Sequence, residues 1–324
     1  MSVSFSDCFS DLLCCEDSGT IFSDGDLPEC SSDLESPINI EESIAGFIED
    51  ERNYVPGIDY IERFHSQSLD SSAREESIAW ILKVQSYYGF QPLTAYLSVN
   101  YFDRFLYSRR LPHTNGWPLQ LLSVTCLSLA AKMEEPLVPS LLDLQVGGAK
   151  YIFEPRTIRR MEFLVLGVLD WRLRSITPFT FMGFFAYKLD PTGTYTGFLI
   201  SRATGIILST IQEASFLEYW PSCIAAAAIL SAANDIPNFS FVNAGHAELW
   251  CDGLSREKII GCYRLIQADH NGRRKPPKVL PQLRVMTQAR IGSSDSSSSS
   301  STSSYKRRKL NSTSWVDDDK GSSD

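Results

Sequence analysis

Before Arg52 the chain has no lysine or arginine, although Asp and Glu recur from Asp7 to Glu51. Its 8 cysteines include no Cys-x-x-Cys pair and the chain has only 4 histidines to complete a site, so reduced intracellular thiols are expected rather than a disulfide or zinc framework. Long hydrophobic runs are missing too. The longest, Cys223 to Leu230 with Ser231-Ala232-Ala233 behind it, falls far short of the roughly 20 residues a bilayer needs. No basic segment followed by an apolar stretch opens the chain, so a soluble, non-secreted protein with no membrane partner is expected. Phosphate-cradling glycine loops (Gly-x-x-x-x-Gly-Lys-Ser/Thr, Gly-x-Gly-x-x-Gly), kinase signatures, His-Glu-x-x-His and Gly-x-Ser-x-Gly are all lacking. Gly147-Gly148 is a bare pair in an inter-helix loop, and His65, His113, His246 and His270 are scattered. These absences argue against an enzyme and against any cofactor. A net charge of −9 and a pI near 5.1 argue against a nucleic-acid binder, whose domain would be basic.

What is present is a substantial core: 324 residues with 43% hydrophobic and 11% aromatic side chains, enough for about two globular domains plus tails. The acidic start, rich in Ser, Gly and Pro to about residue 40, cannot bury enough apolar surface to offset ordering entropy. Serine fills most of Ser293–Ser304, followed by Tyr305-Lys306-Arg307-Arg308-Lys309-Leu310 and Asp317-Asp318-Asp319. Both ends therefore read as disordered tails.

Between the tails the hydrophobic period is helical. Over about 72–88, Ile78, Ile81, Leu82 and Gln85 mark one face, and Trp80, Val84 and Tyr87 another. A second helix fits about 93–107 after Pro92, with Leu97, Tyr101 and Phe105 on one stripe and Val99, Phe102 and Leu106 on the next. Trp117-Pro118 opens a stretch ending Leu127-Ser128-Leu129-Ala130-Ala131, and Trp220-Pro221 opens a similar one about 100 residues later. A helix with no polar face must be enclosed by others, so two such central helices imply two similar all-helical units. Each unit has a later helix as well: Arg156 to Asp170 after Glu154-Pro155, and Ser255 to Asp269 with Ser255 as its cap. The boundary falls near Arg174 to Pro178.

Four spaced blocks then carry a family resemblance: Arg74-Glu75-Glu76-Ser77-Ile78-Ala79-Trp80-Ile81-Leu82-Lys83-Val84, Val99-Asn100-Tyr101-Phe102-Asp103-Arg104-Phe105-Leu106, Leu129-Ala130-Ala131-Lys132-Met133-Glu134-Glu135 and Met161-Glu162-Phe163-Leu164-Val165-Leu166. In order and spacing they resemble a cyclin box, and the wording is most similar to the D-type cyclins of plants. The resemblance implies an all-α chain of two tandem five-helix cyclin folds flanked by disordered tails. The expected bounds are a tail over 1–42, a box over 43–175, a second fold over 176–285 and a tail over 286–324. It also implies a regulatory subunit of a cyclin-dependent serine/threonine kinase, with kinase-inhibitor proteins as a further class of partner. The matching kinase-contact positions are Lys132 and Glu162, flanked by Leu129, Met133, Glu134, Glu135 and Trp171. By itself Lys132 would also complement a helix dipole, Glu162 would suit a solvated helix face, and Trp171 would suit a core. Arg74 and Asp103 have a structural role in the family, as a buried ion pair tying the first box helix to the second.

Departures matter as well. Ala79 stands where the family often has Asp, and Trp80 and Gln120 match a docking patch for Arg-x-Leu substrates. Ala73 and Ser77 replace larger apolar residues there, and Lys83 replaces an acid that helps hold the substrate arginine, so like charges would repel. A second recruitment device is Leu12-Leu13-Cys14-Cys15-Glu16, which satisfies Leu-x-Cys-x-Glu, the motif with which D-type cyclins bind retinoblastoma-type proteins. In an extended peptide Leu12, Cys14 and Glu16 face the same way. The basic cluster Lys306-Arg307-Arg308-Lys309 suits nuclear import, giving a nuclear location with a cytoplasmic pool. The expected function is kinase activation and presentation of retinoblastoma-related protein, promoting the start of S phase. The alternative is a transcription-factor scaffold with tandem cyclin folds, which would need a basic face.

Overall fold

The computed structural model describes residues 37–57, 59–66, 70–111, 116–146, 148–239 and 244–272. Among these residues every regular element is helical: α1 (Pro37–Asp50), α2 (Asp59–His65), α3 (Ser71–Tyr88), α4 (Pro92–Ser108), α5 (Trp117–Glu134), α6 (Pro155–Val168), α7 (Pro178–Leu189), α8 (Thr196–Thr210), α9 (Pro221–Ala233) and α10 (Arg256–Gly272). None of them is long and apolar enough to cross a membrane.

Local chemistry sets the helix ends. The Asp70 carboxylate accepts from the Ala73 amide at 3.2 Å to start α3. Gly89 stops that helix in the left-handed region at φ +67°, where a side chain would be strained. Proline occupies the first turn of α4, α5, α6, α7 and α9, where its missing N–H costs nothing. Ser255 caps α10 only loosely, its hydroxyl lying 3.5 Å from the Lys258 amide.

Each unit wraps three helices around a central one. In the first, α5 packs against α3, α4 and α6; in the second, α9 packs against α7, α8 and α10. All of Pro221–Ala233 is buried, and the alanines of α9 let its neighbours approach closely. Between the central helix and the last α-helix each unit has only a short piece, a single turn over Leu141–Leu144 in the first and a 3-10 helix over Ala244–Trp250 in the second. On α3, Ile78, Ile81 and Val84 are buried, but Tyr87 is 69% exposed and contributes nothing to a second apolar face.

The amino-terminal boundary differs from the sequence expectation. Helix α1 begins at Pro37, inside the stretch assigned to a disordered tail over 1–42. Moreover, Ile44 and Ile48, one turn apart, are buried in the core of the second unit, so the start of the box expected over 43–175 also packs on that unit. The apolar stripe needs a groove, and the second unit supplies it. Glu51 extends the attachment, its carboxylate accepting from the Ser222 amide and hydroxyl at 2.7 Å each, at the first turn of α9. At the other end, the description stops at Gly272, so 273–285 of the expected second fold and the tail over 286–324 lie outside it.

The two units are joined through Arg74. Its Nε and Nη2 donate to the two oxygens of Asp103 at 2.8 Å each, in the forked geometry that favours Arg–carboxylate pairing. Nη1 donates to the Gln212 carbonyl at 2.9 Å and Nη2 to the Ile211 carbonyl at 3.2 Å, at the carboxy end of α8. The Tyr60 hydroxyl donates to Asp103 Oδ1 at 3.0 Å. One buried cation thus holds α3, α4 and α8.

Removing one partner of a buried pair leaves the other uncompensated, so Arg74→Met should lower unfolding free energy by about 3 to 5 kcal/mol. Chemical denaturation tests this, and an unchanged midpoint would contradict the account. A second expectation concerns pH. Burial pushes Glu51 from 4.5 up to about 7, against the Ser222 hydrogen bonds and the Arg52 charge that favour ionisation. Because the folded state holds this proton more tightly, the Glu51 contribution to stability falls as pH rises from about 4.5 to 7. Glu51→Gln should remove that fall, stabilising the protein at pH 8 by on the order of 3 kcal/mol. Parallel denaturation curves for both proteins across that range would show Glu51 to be indifferent.

Candidate functional site

Helix α5 ends at Glu134, and its last turn brings Lys132 against α6. The Lys132 ammonium donates to Glu162 Oε1 at 2.6 Å, and the Ser128 hydroxyl, one turn back on α5, donates to the same oxygen at 2.6 Å. The pair is lopsided: the Lys132 side chain is 45% exposed and that of Glu162 only 9%. Glu162 is therefore not a solvated helix residue but a buried anchor that aims a half-exposed ammonium. Ser128 was legible only as one residue of the apolar stretch; its spacing of four from Lys132 places both on one face of α5.

Close to this pair along the chain, large apolar side chains are open to solvent. Met133 is 38% exposed, Leu137 84%, Val138 38% and Phe163 67%, whereas Leu129 is buried. Leu137 and Val138 went unnoticed in the sequence because they lie in a loop between Pro136 and Pro139, without helical period. Glu134 is exposed at the end of α5. Glu135 is committed elsewhere: its Oε1 accepts from the Gln91 amide at 2.7 Å and the Thr94 hydroxyl at 2.5 Å, closing the start of α4.

Trp171 is not a core residue, being 66% exposed. It follows α6 in a turn where Asp170 and Trp171 have φ of +51° and +60°, a conformation that costs a non-glycine residue free energy. The Trp171 amide reaches back to the Leu166 carbonyl at 2.9 Å, and the turn holds the indole out from the surface.

The docking-patch residues are tied to their own chain. The Trp80 indole donates to the Val146 carbonyl at 3.1 Å. Gln120 donates to the Tyr151 carbonyl at 2.8 Å and accepts from the Tyr151 amide at 3.1 Å. Both therefore clamp the segment between α5 and α6. Leu12, Cys14 and Glu16, and Lys306, Arg307, Arg308 and Lys309, lie outside the described residues. Among the described residues, no group of three or more His, Cys, Asp or Glu could hold a metal ion.

Two helical units in tandem, each built round an enclosed helix, are the architecture the comparisons identify. The cyclin amino-terminal domain matches residues 42–174 and the cyclin carboxy-terminal domain residues 176–303, so the chain belongs to the cyclin family, whose members are regulatory subunits rather than enzymes. Its curated relatives include plant D-type cyclins. It is 62% identical over 330 residues to Cyclin-D1-1 of Arabidopsis thaliana, covering 100% of this chain and 96% of that one. To Cyclin-D2-1 of Oryza sativa subsp. japonica it is 51% identical over 265 residues, 79% of this chain and 82% of the other. Among solved structures, a viral cyclin from herpesvirus saimiri superposes with a TM-score of 0.51 at 14% identity, covering 63% of this chain and 86% of that one, and shows the same fold.

The unequal burial of the pair separates its two halves energetically. Lys132→Ala should cost under about 1 kcal/mol of stability, as expected for a half-exposed ion pair. Glu162→Ala should cost about 1 to 3 kcal/mol, because it leaves the buried Ser128 hydroxyl without its acceptor. Equal, negligible losses in urea denaturation would show that Glu162 is not an anchor.

Proposed function

We propose that this chain binds and activates a cyclin-dependent serine/threonine kinase through the face formed by the end of α5, the Glu162 side of α6 and the turn at Trp171. The observation that supports this most is the Lys132–Glu162 pair, a half-open ammonium on a buried carboxylate, with exposed Met133, Leu137, Val138 and Phe163 near it along the chain. Large apolar side chains around a fixed polar centre are what a protein interface is made of. Leu129 is buried one turn before this face, Glu134 is exposed at the end of α5, and Glu135 holds the start of α4 beside it.

Such kinases transfer phosphate only when a strand lysine is paired with a glutamate on a mobile helix. A rigid cyclin face that touches that helix only in its inward position shifts the population toward the active state by its differential contact energy. Lys132 and Trp171 are suited to this because their own chain holds them in place before binding.

Recruitment is assigned to the amino-terminal segment. Leu12 and Cys14 would fill small apolar pockets of a retinoblastoma-related protein, and Glu16 would meet helix amino termini. Tethering raises the local concentration of phosphorylation sites without altering the chemistry. Through it the kinase would promote the start of S phase. Kinase-inhibitor proteins are a further expected class of partner, and Lys306-Arg307-Arg308-Lys309 would direct the chain to the nucleus, with a pool left in the cytoplasm. Trp80 and Gln120 support Arg-x-Leu docking poorly, because their polar atoms are already bonded to Val146 and Tyr151.

Reconstitution with a cyclin-dependent kinase separates activation from recruitment. Lys132→Ala and Trp171→Ala should each weaken kinase binding at least tenfold and reduce activity on every substrate. Cys14→Gly with Glu16→Lys should abolish binding to retinoblastoma-related protein while activity on a generic peptide is unchanged. Full kinase activation by Lys132→Ala would remove the α5–α6 face from the account. Undiminished pocket binding by the tail variant would remove the motif.

A further inference from the structure

Arg104 follows Asp103 on α4, yet its surroundings are unlike those of Arg74. It is 8% exposed, but among the described residues it makes no ion pair. Its Nη1 donates to the Arg172 carbonyl at 3.0 Å, the Ser175 hydroxyl at 3.2 Å and, weakly, Asn100 Oδ1 at 3.4 Å. One face of the guanidinium lies 5.7 Å from the Tyr54 ring. Nε and Nη2 make no hydrogen bond with any described residue. Nor are they sealed in, since Ser98 Oγ is the only fully buried side-chain polar atom without a partner among the described residues.

These unused N–H groups belong to a side chain that lines a pocket of about 170 Å³, between the segment after α1, the end of α4 and the turn after α6. Asn53, Ser108, Asp170 and Arg172 line it as well. Desolvation lowers the pKa of Arg104, and the neighbouring Arg172 charge adds to the effect, while Asp170 opposes it. Two guanidinium groups against one carboxylate leave a net positive charge around the cavity. The left-handed residues Asp170 and Trp171 turn the chain so that Arg172 returns over α4 and its carbonyl meets Arg104. A buried cation without an anionic partner is costly, and an arginine fork is matched best by a planar or tetrahedral oxyanion.

We propose that this pocket binds a phosphate dianion, either free or as a monoester, with Arg104 and Arg172 as the charged donors and Asn53 and Ser108 as neutral ones. The carboxylate of Asp170 is the group it must work against. Occupancy would also pin the turn that presents Trp171, a consequence that rests on the kinase-binding reading; phosphate binding itself does not.

Titration calorimetry on the full chain alone, in a buffer free of phosphate and sulfate at constant ionic strength, tests the site. The probes are inorganic phosphate, a phosphoserine peptide and its unphosphorylated form. Saturable binding is expected, weakened at least tenfold by Arg172→Glu, an exposed position where folding is not at risk. Asp170→Asn should tighten binding severalfold, since it removes the opposing charge and asparagine tolerates the left-handed backbone. Tighter binding of the phosphoserine peptide than of inorganic phosphate would identify a protein-borne phosphate, and the reverse order a free anion. Absence of saturable binding by either phosphate, or binding undiminished in Arg172→Glu, would overturn the proposal.

Discussion

The Arg74 guanidinium is the point on which the two helical units are registered. It donates along both edges of the Asp103 carboxylate and to two carbonyls at the end of α8, all from a side chain that is 2% exposed. A cation at a helix carboxy terminus is favoured by the exposed carbonyls, and here it is also neutralised by Asp103. Apolar packing alone would hold the units together but would not fix their angle. Directional bonds in a low-dielectric seam do, because every misaligned arrangement leaves a buried charge unpaired.

The polar residues of α4 continue that seam. Asn100 donates to the Tyr54 carbonyl at 2.7 Å and accepts from the Ser175 hydroxyl at 2.9 Å, tying the segments before and after the first unit to its second long helix. On its other faces α4 packs against α5 and α6, the two helices that carry Lys132 and Glu162. The face assigned to kinase binding is therefore built on the same helix that locks the units, and its charged centre is already hydrogen-bonded within the chain. That matters because side chains ordered in advance lose less entropy on binding.

Much of this was legible in the sequence. Proline at helix starts, the stripes of α4 and the two enclosed helices were read from spacing, and Lys132, Glu162, Arg74 and Asp103 from the resemblance. What escaped depends on contacts between distant parts of the chain. Nothing local says that Ile44 and Ile48 pack into the core of the second unit, or that Glu51 meets Ser222 across 171 positions. Trp171 is a contact position by the resemblance, but its residue type alone would equally suit a core, and only the backbone turn at Asp170 and Trp171 leaves it outward. Trp80 and Gln120 matched a docking patch by residue type, whereas their hydrogen bonds to Val146 and Tyr151 are set by the path of the loop.

The central claim, that the end of α5, α6 and the Trp171 turn form the partner-binding face, is tested most directly by hydrogen exchange of the chain alone and saturated with a cyclin-dependent kinase. The account predicts added protection in the last turn of α5, the Leu137–Val138 loop and residues 162–173, with little change in α8 and α10. Protection confined to the second unit, with those segments exchanging as they do in the free chain, would contradict it.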